Sequence, residues 1–107
     1  MMLSTNIEID NQAIFDNFKR ITNQIYKLLP NREENIDWQT PLKTIIEEIS
    51  GMRRLLDSQQ ESLFSLLCKL EGLFDLTAEE DFFSYRRTIF ESLNILQTIK
   101  ENIQKEG

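Results

Sequence analysis

The sequence predicts an all-α protein, an antiparallel four-helix bundle with a long loop between its first and second helices. Three observations lead there. Valine is absent and only three glycines and two prolines occur, which leaves little material for strands or tight hairpins. The 13 isoleucines and 14 leucines fall almost entirely at steps of three and four, the spacing of one helix face. Finally, the chain divides into four such segments, each opened by a start signal. With 107 residues it makes a single helical domain over 1–107, able to bury roughly 65% of the surface that its unfolded form exposes.

The first helix is predicted over about 10–29. Its stripe is Ile14, Phe18, Ile21, Ile25 and Leu28, and Pro30 ends it. Thr5 and Glu8 have the spacing of a capping box that would extend the helix upstream, although Ile7 and Ile9 alternate instead of stepping by three or four. Residues 30–40 form the long loop, with Ile36 and with Trp38 as a lid over one end of the core. The second helix, about 41–57, opens on Thr40 as N-cap and Pro41 at the first helical position. Leu42, Ile45, Ile46, Ile49, Met52 and Leu56 make its stripe, and Arg53 and Arg54 complement the dipole at its end. Gly51 lies opposite that stripe and marks a bend or a second contact.

The sequence Ser58-Gln59-Gln60-Glu61 is a capping box for the third helix, about 59–75, with Leu63, Leu66, Leu67, Leu70, Leu73 and Phe74 facing inward. A second box, Thr77-Ala78-Glu79-Glu80, opens the fourth, about 78–103, on Phe82, Tyr85, Ile89, Leu93, Leu96, Ile99 and Ile103. Short turns near Asp57-Ser58 and Leu76-Thr77 make helices two, three and four sequential antiparallel neighbours.

Composition then narrows the function. Histidine is absent, which removes the commonest general base and metal ligand. The single cysteine, Cys68, excludes an internal disulfide and a thiolate cluster, fits a reducing cytoplasm, and lacks a histidine to activate it. It is expected as a packed or half-exposed structural thiol. Glu47 and Glu48 are adjacent and so diverge by about 100°, which does not make a carboxylate pair. No phosphate loop, nucleophile elbow or zinc spacing occurs, so neither an enzyme nor a cofactor is expected. Eighteen acids against twelve scattered bases give a formal charge of −6, which argues against nucleic acid and against a membrane surface. No apolar run approaches the ~18 residues of a span, and Met1-Met2-Leu3-Ser4-Thr5 lacks the regions of a signal peptide. The expected compartment is the cytoplasm.

Two surface features remain. Asp75, Glu79, Glu80 and Asp81 form an acidic patch. It does not complete a calcium loop, since Glu80 stands where that loop needs glycine and Arg86 where it needs glutamate. A structural account is enough for most of it, because acids in a first helical turn meet the positive end of the dipole. The rival account is a recognition patch for a basic partner. The second feature is a surplus of aromatics off the stripes: Phe15, Tyr26, Phe64, Phe83 and Phe90. Phe83 and Phe90 are seven apart on one face with Arg86 and Arg87 between them, a composition favoured at protein interfaces. The same residues would also suit a broad buried face.

In outline, a compact acidic four-helix chain resembles several unrelated groups: bacteriocin immunity proteins, small phage-encoded inhibitors and secretion chaperones. The likeness covers no motif and carries no functional residue. The expected function is therefore a non-enzymatic interaction module, an accessory, regulatory or inhibitory subunit that binds a protein partner or a second copy of itself as a homodimer. Two alternatives stand beside it. One is a carrier of a small apolar ligand among Phe18, Phe64, Phe74 and Phe82; the other is an acidic nucleic-acid mimic or immunity-type inhibitor.

Overall fold

The computed structural model describes the backbone of residues 2–54 and 56–106, and the side chains of residues 12–54, 56 and 58–105. Four helices occur in order: α1 (Met2–Glu33), α2 (Gln39–Arg53), α3 (Gln60–Gly72) and α4 (Phe82–Glu106). Single 3-10 turns lie at Asp57–Gln59, Leu73–Asp75 and Glu79–Asp81. No strand occurs among the described residues.

The predicted stripes face inward, except that Phe82, the first residue of the fourth, is half-buried and stays outside the core. Phe18, Ile21, Ile25, Leu28, Leu42, Ile45, Ile49, Leu63, Leu66, Leu70, Leu73, Tyr85, Ile89, Leu96 and Ile99 form one nearly water-free core, with Ile14, Ile46 and Phe74 packed at its margin. Each such side chain contributes about 1.5–3 kcal/mol by leaving water. Helix α1 packs on α2 and α4, and α3 packs on the same two. Arg20 pairs with Glu48 at 3.0 Å between α1 and α2, and Lys69 with Glu91 at 3.4 Å between α3 and α4. The Tyr85 hydroxyl donates to the Leu28 carbonyl at 3.4 Å, joining the end of α1 to the start of α4. These links are compatible with an antiparallel order. The body measures 55 × 22 × 18 Å.

Helix ends differ from the sequence expectation, each for a local reason. Pro30 does not end α1. It lies on the exposed side, one backbone hydrogen bond is forgone, and the helix runs on to Glu33. The stop is Asn35, whose φ of 60° is left-handed. Its N–H donates to the Arg32 carbonyl at 3.2 Å, and the Ile36 N–H to the Asn31 carbonyl at 2.8 Å. That pair of bonds is the Schellman closure, which asparagine tolerates better than most residues. The long loop over 30–40 is thereby reduced to residues 34–38. Upstream, α1 reaches Met2, so the backbone extends further than a helix opened by a Thr5–Glu8 box would, and Thr5 lies inside the helix instead of capping it; the side chains of Thr5 and Glu8 lie outside the described residues.

Thr40 is not the cap of α2. The Asp37 carboxylate accepts the N–H groups of Gln39 at 3.0 Å and Thr40 at 3.2 Å, and Pro41 is the third helical residue instead of the first, still within the turn where no donor is missed. Hydrogen bonding from Thr40 holds the Asp37 carboxyl below its ordinary range. Helix α2 stops at Arg53, four residues earlier than expected, and the chain turns into α3 around Gln60. The Gln60 amide donates to the carbonyls of Arg53 and Leu56 and accepts from Arg53 Nε at 3.0 Å, so one side chain satisfies acceptors that the helix end leaves open. In place of the Ser58 box, Gln59 occupies the N-cap position of α3 and makes no side-chain cap. The box at α4 is shifted by one residue and half made. Asp81 accepts the Ala78 N–H at 3.3 Å, and alanine has no side chain to reciprocate. Gly51 is exposed with nothing near it, so it marks no second contact.

Candidate interaction surface

The two faces of α4 meet very different surroundings. Inward, Tyr85 is fully buried, edge-on to Trp38 at 5.0 Å, while Trp38 stacks on Phe74 at 6.5 Å. Trp38 is thus the lid that the sequence suggested. The guanidinium of Arg32 lies 4.7 Å from the Tyr85 ring and 5.4 Å from that of Phe82. It donates to the carbonyls of Leu76 and Ala78, both at 2.8 Å. Arg32 thereby ties the last turn of α1 to the loop before α4, a role that sequence reasoning missed because it placed this residue in a loop. The available signal was its position, a base in what proves to be a final helical turn. Burial pushes the Tyr85 phenol well above its usual range, and the nearby Arg32 charge opposes that shift.

Outward, Phe83 is 80% exposed, its ring edge-on to that of Phe82 with centroids 6.3 Å apart. Phe90 is 42% exposed, and the Arg86 guanidinium lies over it at 5.5 Å. Arg86 and Arg87 are both exposed, and Arg87 forms no hydrogen bond or ion pair with the described residues. Phe83, Arg86, Arg87 and Phe90 follow the i, i+3, i+4, i+7 spacing of one helix face. Of the other off-stripe aromatics, Tyr26 and Phe64 are exposed, Phe64 lying beneath Arg53 at 5.1 Å, whereas Phe15 packs against the core.

The acidic residues divide. Glu79, Glu80 and Asp81 form the 3-10 turn that leads into α4, and Asp75 closes the preceding turn, across the loop braced by Arg32. Asp81 is half-buried and serves as the cap, whereas Asp75, Glu79 and Glu80 are exposed. Of the packed or half-exposed states expected for Cys68, the packed one does not occur: the thiol is exposed, because it lies off the α3 stripe. Phe18, Phe64, Phe74 and Phe82 are likewise divided between core, margin and surface. An open hollow of about 320 Å³ lies at the Trp38 end, bordered by Arg32, Ile36, Asp37 and Glu79. Two of its polar side chains, Arg32 and Asp37, are already committed to backbone groups.

Among the described residues no group of three acidic or thiol side chains is placed to hold a metal ion. No described helix is long and apolar enough to cross a membrane. Compared with protein-family models, curated proteins and solved structures, the chain matches none.

Proposed function

We propose that the chain is a non-enzymatic interaction module, an antiparallel helical bundle that binds a protein through the outward face of α4. The observation that carries this reading is Phe83. A phenylalanine 80% exposed, with a second exposed phenylalanine one heptad on and arginines between them, is surface that water disfavours and folding does not use. Aromatic and arginine side chains are the residues that most often dominate binding energy at interfaces. The interaction is expected to have a physiological role in the cytoplasm, as an accessory, regulatory or inhibitory subunit.

The test uses two tagged baits in the native host, the wild-type chain and Phe83→Ala with Phe90→Ala. The reading expects the wild type to retain a protein that the variant loses, since central aromatics often cost 2 kcal/mol or more, about thirtyfold in affinity. Equal retention by both baits would contradict it.

A further inference from the structure

We infer that a second copy of this chain occupies the outward face of α4, docked antiparallel about a two-fold axis at Phe83. The inference rests on the interaction reading and names its partner. It comes from the order of charge around Phe83. Glu79 and Glu80 stand four and three residues before it, Arg86 and Arg87 three and four after it. Steps of three and four keep Phe83, Arg86 and Arg87 on one face, and the three-residue step of the 3-10 turn sets Glu80 in line with Phe83, while Glu79 falls in line with Phe82 at the edge of that face, bordering the Trp38 hollow. All five side chains are exposed. Neither Glu79, Glu80 nor Arg87 has an ion-pair partner among the described residues.

A two-fold axis perpendicular to the helix sets each residue n places before Phe83 opposite the one n places after it in the other copy. Glu80 then meets the arginine pair Arg86 and Arg87 of the other copy, with Glu79 at the edge of the same contact, once from each end, around a contact of Phe83 with Phe83. Phe90 extends the apolar part, with Arg86 already over its ring. In the parallel orientation acids would face acids and arginines would face arginines, which is costly, so the charge order selects the two-fold arrangement. A surface shaped for an unrelated protein has no need of this symmetry.

Sedimentation of the purified chain tests the inference. Wild type is expected to form a dimer that weakens with added salt. Glu79→Arg with Glu80→Arg, and separately Arg86→Glu with Arg87→Glu, should each be monomeric, with dimerisation weakened about a hundredfold or more by facing like charges. Mixed in equal amounts, these two variants should form a one-to-one heterodimer, because every reversed charge then meets its opposite. A wild type that stays monomeric to about millimolar concentration overturns the inference, as does a dimer indifferent to both reversals. Should a reversal variant fail to fold by circular dichroism, Cys68→Ser with Phe83→Cys gives an independent measurement. Under mild oxidation with oxidised glutathione it should form a disulfide-linked dimer through residue 83, and its absence would count against the axis. A purified chain that is monomeric while its bait still retains another protein through Phe83 and Phe90 would overturn self-pairing and leave the interaction reading standing.

Discussion

Tyr85 and Phe83 lie two residues apart on α4 and live in opposite environments. Tyr85 is sealed beneath Trp38 and Arg32, and its hydroxyl reaches a carbonyl of α1. Phe83 is four-fifths in water, its ring edge-on to its neighbour Phe82. The helix needs the first to hold α1, α2 and the loop before α4 together. Nothing in the fold needs the second. The pair teaches that position around α4, not chemical type, decides which aromatic the core encloses and which is left in water.

The largest expected effect lies on the inward face. Tyr85→Ala should cost about 3–5 kcal/mol in denaturant unfolding, and Ile89→Ala and Leu67→Ala about 2–5 kcal/mol each, because deletion leaves a cavity that neighbours fill only in part. A loss below ~1 kcal/mol at Ile89 would mean that the inward face is wrongly placed. Arg32→Ala should cost about 1.5–3 kcal/mol, since two charge-assisted hydrogen bonds to carbonyls are lost together with the contacts to Tyr85 and Phe82. Arg32→Lys should recover little of it, having no planar group to lay over the rings.

The same face carries a pH signature. The Tyr85 phenol is raised in the folded protein, so the unfolded chain gives up that proton first. Its contribution is whole below about pH 10 and is lost as pH rises towards the folded value, by up to ~1.4 kcal/mol per pH unit. Tyr85→Phe should remove that share of the alkaline loss; unfolding curves for both proteins above pH 10 that fall in parallel would contradict the burial. Smaller and of opposite sign, Gly51→Ala should stabilise by about 0.5–1 kcal/mol, because a methyl there meets nothing and glycine is a poor helix former. A melting temperature that falls in this variant would point to a contact that the helix surface lacks in this account.

The bundle's inward stripes were legible because helical periodicity is a long pattern, repeated over many residues. Its corners were not, because each rests on one or two side chains. Pro30 is a weaker stop than Asn35 when the proline lies on the solvent side and an asparagine can adopt the left-handed turn. Thr40-Pro41 resembles a helix start more closely than Asp37 does, yet the carboxylate has the stronger pair of bonds to offer. The Arg32 brace spans 44 positions to Leu76, so its partner lies beyond any local pattern, whereas Gln60 reaches back only four and seven positions, across a corner whose turn the helical periodicity does not describe. The aromatic–arginine face was legible as a surplus over the stripes, and the exposure of Phe83 and Phe90 separates it from a broad buried face. Phe15 shows the limit of that reasoning, for it lies equally far from its stripe and still packs against the core.

The claim that α4 divides its labour between two faces is tested most directly by unfolding Phe83→Ala with Phe90→Ala in denaturant, at a concentration low enough to keep wild type and variant monomeric. The account predicts a free energy of unfolding within about 1 kcal/mol of wild type, because neither ring is enclosed by the fold. A loss of several kcal/mol, comparable with that of Tyr85→Ala, would place both rings among the supports of the core and contradict the claim.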